Sequence, residues 1–434
     1  MTTAMGAALR RIQLGNALSA FGNGFTVPFL FIYVSQVRDL GASTAGIVLA
    51  TFAVAALAVL PFTGAAIDRR GPLPVAVVGT VSAAVGSLGL GLAQTEPMAI
   101  AAAALLGAGI AVIQPALATM IVWCSTPATR SRSFATQFFL NNLGLGVGGL
   151  LGGQLVDTSD PSSFVRLFAI ESVMFLVLGA ILATVRLPNT AKVEDSVPQE
   201  AAKGGWRTLL SDRAMVQLCV LGFVMFFACY GQFESGLSAY AVEVTRISPA
   251  TLGVALAANT AAIVLAQFVV LKLVERRRRS RVIALVGVVW TVAWIAAGVS
   301  GLVHGAQAVA TTLLISTYAL FGLGESMLSP TMAPLVADLA PARLVGQYNS
   351  AFALVKQLAL AIGPAVGGLM AGGGMYVAYI AMLVVCSLGI SALALRLGRR
   401  LSLRQDNPLR AQAAQAQASE SESADSTDTV AVAA

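Results

Sequence analysis

Four ionisable side chains stand inside stretches that are otherwise almost wholly apolar: Glu171, Glu234, Glu325 and Lys356. A charge in hydrocarbon is costly, and it is retained where it pairs, lines a water-filled path or relays a proton. Glu325 and Lys356 have opposite sign. Counted from the nearer ends of their apolar runs, at residues 334 and 348, they lie ~14 Å and ~12 Å deep at a helical rise of about 1.5 Å per residue. Two opposite charges at matched depth on consecutive runs can form a buried pair. Such a pair adds little stability, because desolvation opposes the Coulombic gain. As a site of proton or charge exchange it has a use; the alternative is a purely architectural pair. Glu234 shares a helical face with Tyr230 and Ser238 at spacing four, where it either lines a cavity or caps an outer rim. Glu171 lies near the outer end of its run and is expected to snorkel.

The elements that must carry these groups follow from composition. Of the 434 residues, 57% are hydrophobic and 11% charged, whereas soluble domains carry about 25% charged residues. The apolar residues fall into runs of roughly 20, the length of helix that crosses a bilayer. Twelve runs are predicted, at 12–34, 43–66, 73–94, 98–122, 134–156, 166–185, 215–240, 250–273, 281–301, 307–334, 348–371 and 375–396. No alternating barrel pattern is present, so the fold class is an all-α membrane protein. Of the 27 Lys and Arg, 23 fall in the N-terminus, the loops after even-numbered runs and the C-terminal stretch; Arg38, Arg166 and Arg246 lie on the other side. That bias places both termini in the cytoplasm. It also explains the net charge of +7 as topology, so no nucleic-acid partner is expected. Arg10 and Arg11 precede an apolar run that is too long for a signal peptide and lacks a small-residue cleavage site. The basic stretch "ERRRRSR" at 275–281 reads as a cytoplasmic anchor.

The chain divides into 1–185, a linker at 186–213, a second half at 214–400 and a tail at 401–434. The linker turns amphipathic around Trp206, Leu209 and Leu210, as an interfacial helix does. The tail is too polar to bury a core and is expected to be disordered. Displaced by 215 positions, the chain falls on itself: Gly107, Gly109 and Pro115 meet Gly322, Gly324 and Pro330, and "GGLLGG" at 148–153 meets "GPAVGG" at 363–368. Two parallel six-helix halves are the organisation of a duplicated transporter with its site between the halves. Polar stripes mark the candidate cavity. One comprises Asn16, Ser19, Asn23 and Thr26; another comprises Tyr318, Gly322, Glu325 and Ser329; Gln114, Asn141, Asn142 and Gln357 are further candidates. The same stripes also serve as interhelical glue. Trp290 and Trp294, four apart, read as a lipid-facing patch. His304 falls in an outer loop. With one His, no metal-ligand spacing, no phosphate loop and no nucleophile–base arrangement, no enzyme activity, metal or cofactor is expected. Cys124, Cys219, Cys229 and Cys386 have neither disulfide nor metal spacing.

"GAAIDRRG" at 64–71 supplies Gly64, Asp68, Arg69 and Gly71 at the spacing of the signature between helices 2 and 3 of the major facilitator superfamily, which the chain resembles over residues 1–400. Pro72 and Leu73 stand where that signature ends in a basic pair. In the fifth run Gly144, Gly148, Gly152 and Gly153 resemble the glycine signature of the family's proton-exchanging exporters, with Gly149 in place of its proline. The eleventh run keeps the proline in Gly363, Pro364, Gly367 and Gly368. These stripes are read either as tight packing or as a rocking interface. Ala103 stands where the family's fourth helix carries an arginine linked to proton movement. The resemblance implies the major facilitator fold, with helices 1, 4, 7 and 10 lining a cavity that opens alternately to either side. It implies a monomeric inner-membrane transporter of a small molecule, with protons as the coupling partner. Export of an amphipathic or apolar compound is the leading expectation; import by proton symport and a non-transporting sensor are the alternatives. It also implies that Asp68 caps the start of the eleventh helix.

Overall fold

The computed structural model describes residues 2–187, 205–233, 235–303 and 306–418. Among these residues there is no strand, and eleven helices are long and apolar enough to cross a membrane. In chain order the spans are α1 (Thr2–Thr26), α2 (Gly41–Arg70), α3 (Pro72–Leu92), α4 (Glu96–Trp123), α5 (Pro127–Leu155), α6 (Pro161–Ala183), α7 (Arg213–Ala228), α8 (Pro249–Val274), α9 (Arg279–Ser300), α10 (Gln307–Leu328), α11 (Val345–Gly372) and α12 (Tyr376–Gly398). The helix outside the eleven is α5. It carries Arg130, Arg132, Asn141 and Asn142 along its length, which lowers its apolarity, yet its 29 residues reach the opposite face. Successive spans alternate in direction, so the start of α1 and the end of α12 share one end of the bundle, the termini end.

Local chemistry sets the boundaries. Gly71 adopts φ +86°, a conformation that disfavours any side chain, and Pro72 opens α3 with its ring in place of a donor the first turn cannot use. The Thr126 hydroxyl and Thr129 cap α5 reciprocally, and the Asp212 carboxylate accepts from the amides of Ala214 and Met215 to start α7.

Two apolar cores form, one from α1–α6 and one from α7–α12. Lipid tails match Leu for polarity, so these cores are held by close packing rather than by water exclusion. The glycine stripes provide that packing within each half. A Cβ on Gly144 would stand 2.5 Å from the Ala17 carbonyl oxygen, and one on Gly148 would stand 2.1 Å from that of Phe21, both on α1. A Cβ on Gly363 would stand 2.7 Å from the Gly231 backbone, and one on Gly367 would stand 2.8 Å from the Gln232 side chain. The stripes are therefore tight seams of α5 on α1 and of α11 on the α7 span. These contacts agree with the tight-packing reading of the stripes. Gly153 packs loosely against Phe29 at 3.6 Å, and Gly368 meets nothing within 4 Å.

Three expectations are corrected. Trp290 and Trp294 are fully buried rather than lipid-facing. Their indole N–H groups donate to the carbonyls of Phe321 at 3.3 Å and Ala228 at 3.0 Å. Glu171 does not snorkel. It is 1% exposed, and the Ser87 hydroxyl donates to its carboxylate at 2.5 Å, because α6 starts earlier than its apolar run and places Glu171 some three turns deep. The tail is ordered at its start. After a short helix, Leu403–Asp406, helix continues to 418, and Asp406 is buried against α9, where it accepts from the Ser280 amide at 2.8 Å and hydroxyl at 2.9 Å. The linker helix appears as Gly205–Ser211, with Leu209 inward, Leu210 outward and the Trp206 indole donating to the Pro61 carbonyl. Residues 188–204 and 419–434, together with His304 and Glu234, lie outside the described residues.

Forcing a side chain into the seams should cost more than the usual ~1–3 kcal/mol of overpacking, because backbone is the neighbour. Gly148→Leu and Gly363→Leu are expected to lower the melting temperature of purified protein, whereas Gly368→Ala leaves it unchanged. Equal melting of all three and the native chain would refute the seams.

Candidate functional site

The first span of each half breaks partway across. α1 ends at Thr26 and continues through a 3-10 turn at Val27–Phe29 containing Pro28. α7 ends at Ala228; Cys229 leaves helical geometry, and the span resumes as Tyr230–Phe233 and then Gly236–Glu243. A broken helix frees carbonyls that lipid cannot satisfy. Here Trp294 donates to the Ala228 oxygen, and the Gln232 amide donates to Phe227 at 2.9 Å and Gly363 at 3.4 Å while accepting from the Tyr379 hydroxyl at 3.0 Å.

Glu325 faces this break. It is 3% exposed on α10, and the Asn259 amide of α8 donates to its Oε1 at 2.9 Å and to the Tyr318 carbonyl at 3.3 Å. The Tyr230 hydroxyl also hydrogen-bonds the carboxyl. Lys356 lies on the face of α11 that packs on the α7 span, between Phe352, which touches Gly222, and Gly363. Its ammonium is 5.3 Å from the centre of the Phe226 ring, a cation–π arrangement. It interacts with Glu325 electrostatically without forming an ion pair within 4.0 Å. The expected direct pair is thus corrected: two helices intervene with hydrogen-bond donors that take the carboxylate first. Lys356 keeps exposed surface. The arrangement can hold a carboxyl group in a buried, donor-rich pocket near a cation.

The other candidates divide. The Asn16 amide donates to Asn141 at 3.2 Å, and the Asn142 amide donates to Phe138 of its own helix, so these three act as interhelical glue or back-bonds. Asn23 is half-buried at the α1 break, and Gln114 is exposed on α4. Tyr318 is fully buried beside Phe233, and Gln357 is half-buried next to Lys356. Ala103, at the family's arginine position, is fully buried.

A second cluster joins the halves at the termini end. The Asp68 carboxylate accepts from the amides of Gly346 at 2.7 Å and Gln347 at 3.0 Å, the first turn of α11. Gly64, one turn earlier, lets α2 approach so closely that a Cβ there would be 2.6 Å from the Gln347 backbone. Arg69 points to solvent. Beside this contact the Asp338 carboxylate binds Arg130 of α5 and, at 2.5 Å, Arg279 of α9. Arg279 also donates to Ser131 and to the Gln405 carbonyl of the tail. The Asn349 amide reaches the Thr119 hydroxyl at 3.3 Å, and the Ser329 hydroxyl reaches the Phe134 carbonyl at 3.0 Å. Asn259, Asp338 and Arg130 were not singled out in the sequence, and Arg279 was read only as part of a basic anchor. Each lies far along the chain from its partner, and only the burial of a charge could have flagged Asp338.

The sequence profile described as Major Facilitator Superfamily matches residues 12–293 and 240–422. The chain belongs to the major facilitator superfamily. Members of this superfamily are transporters and not enzymes. The chain is 20% identical to the quinolone resistance protein NorA of Staphylococcus aureus (strain MSSA476) over 237 residues, 54% of this chain and 58% of that protein. The chain therefore spans little more than half the length of that relative. It is 23% identical to the MFS-type transporter YttB of Bacillus subtilis (strain 168) over 414 residues, 92% and 98% of the two chains. The fold matches a crystal structure of the E. coli fucose:proton symporter FucP with a TM-score of 0.73 at 13% identity, covering 92% of this chain and 99% of that one. The contacts of Asp68 with α11 and of Asp338 with Arg130 and Arg279 together form a clamp between the two sets of helices at the termini end.

Asp338→Asn leaves Arg130 and Arg279 without their shared counter-charge, a loss of about 3–5 kcal/mol for a buried pair. Asp68→Asn loses a charge–dipole contact worth up to ~2 kcal/mol. Labelling of a single cysteine at Asn349 by a membrane-impermeant reagent should therefore rise in both variants, and more in Asp338→Asn. Unchanged labelling in both would show that neither carboxylate holds the end shut.

Proposed function

We propose that this transporter exports small amphipathic or apolar compounds in exchange for protons, working by alternating access in the inner membrane with both termini in the cytoplasm. The observation that carries the reading is Glu325: a carboxyl group enclosed by Asn259 and Tyr230 at the break in α7, with Lys356 within electrostatic reach. A carboxyl group in that setting can take up a proton in one state and release it in another as Lys356 and the helix break move relative to it. The halves, residues 1–185 and 214–400, rock about this site as single units. The clamp at the termini end closes the cytoplasmic side, so the described state faces outward.

Three features support the direction and cargo. The charge bias supports cytoplasmic termini. The glycine signature in α5 and the likeness to NorA, a quinolone resistance protein, support export over import. The only ionisable groups described at mid-depth in the halves are Glu171, Glu325 and Lys356, which suits a neutral or weakly charged substrate. The protein is read as a monomer that needs lipid, substrate and protons but no cofactor.

In everted vesicles, uphill transport driven by an imposed pH gradient should be lost in Glu325→Gln, while gradient-free substrate exchange persists. Lys356→Met should also abolish driven transport, and the double variant should recover expression yet stay uncoupled. Uphill transport that survives in Glu325→Gln would mean that the coupling proton is carried elsewhere, with Glu234 next in line.

A further inference from the structure

At the termini end a groove of about 680 Å³ runs between the start of α7 and the end of α12. Four arginines line it: Arg213, Arg396, Arg399 and Arg400. All four are exposed, and among the described residues none forms an ion pair. Arg400 instead donates to the main-chain carbonyl of Arg213 at 3.5 Å, which draws two like charges together. The nearest carboxylate along the chain, Asp212, is turned away, accepting from the Ala214 and Met215 amides and the Tyr348 hydroxyl. No acid offsets the cluster within the groove.

Apart from Gln217, whose amide donates to the Leu393 carbonyl at 3.3 Å, the rest of the groove is apolar and lies toward the membrane. Val216 and Val220 follow Arg213 by one and two turns up α7, and Leu393 precedes Arg396 by one turn on α12. Leu210 of the short linker helix, 67% exposed, closes the opposite rim. Four uncompensated cations at the level of a membrane surface, above an apolar trough parallel to the spans, match one ligand: a phosphate-bearing headgroup with its acyl chain beneath it. Basic pockets between spans on the cytoplasmic side take anionic lipids in this way. The other basic cluster, 276–281, differs in that Arg279 is already committed to Asp338.

We propose that the α7/α12 groove binds one anionic phospholipid, with the four arginines on its headgroup phosphate and Val216, Val220 and Leu393 on an acyl chain. Bound there, the lipid ties the first and last spans of the C-terminal half together at their termini ends. The inference takes from the proposed orientation only that the lipid belongs to the inner leaflet. The geometry itself does not depend on it.

The test uses purified full-length chain in nanodiscs of phosphatidylcholine with or without phosphatidylglycerol. Lipid present in both leaflets makes the result independent of orientation and of transport. Phosphatidylglycerol should raise the melting temperature of the native protein, and native mass spectrometry should show one retained lipid. Arg396→Gln with Arg400→Gln should weaken that retention at least tenfold and remove the stabilisation, while melting as the native chain does in pure phosphatidylcholine. Arg404→Gln with Arg410→Gln removes the same charge outside the groove and should change neither readout. Equal losses in both double variants would reduce the groove to general surface charge, and no loss in either would remove the site. Full stabilisation by inorganic phosphate in place of the lipid would overturn the lipid assignment.

Discussion

The rest of the molecule depends on one contact across the pseudo-twofold: the Asp68 carboxylate of α2 against the first amides of α11. The opening turn of a helix has N–H groups that no carbonyl within the helix can reach, and it carries partial positive charge. A carboxylate from the other half satisfies both. The contact demands that two helices approach at backbone distance, which Gly64 permits on one side and Gly346 on the other. Asp338 then holds arginines from both halves at the same level. With the halves drawn together at this end, the proposed alternating-access path would open at the opposite end.

What such a clamp controls is set by the broken spans. An unbroken helix in lipid keeps its polar groups to itself, whereas the break after Ala228 exposes carbonyls that must be met by Trp294, Gln232 and, through them, Tyr379. The polar network built for that purpose is what allows Glu325 to be buried nearby with Asn259 and Tyr230 as donors. The break in α7 and the buried carboxyl are two parts of one solution. In the proposed cycle a movement of α7 relative to α10 would alter both, linking the opening of an end to the state of the carboxyl group.

The sequence exposed the costs more readily than the partners. Glu325 and Lys356 stood out because charge in an apolar run is expensive, and the fold brings them within electrostatic reach of each other. A direct ion pair was not found, since Asn259 sits on another span and reads as one more polar residue until α8 is placed beside α10. Asp68 found its partner because topology and motif together leave few helix starts at that face. Trp290 and Trp294 were misplaced: spacing of four says that two side chains share a face but not whether the face meets lipid or protein, a distinction that periodicity cannot draw when both surrounds are apolar. The glycine stripes announced close approach without naming the neighbour. The start of the tail was hidden by its surroundings, because the polar composition from residue 411 onward masks the one turn in which Asp406 caps α9.

The distance between the halves at the termini end tests this account most directly. Spin labels at Arg70 and Glu275, both at that end and on different halves, should give in native protein a single short distance by pulsed electron resonance. The Asp68→Asn, Asp338→Asn double variant should move most of that population to a longer distance without loss of folded protein. If the double variant keeps the native distance, the carboxylate clamp does not hold the halves together.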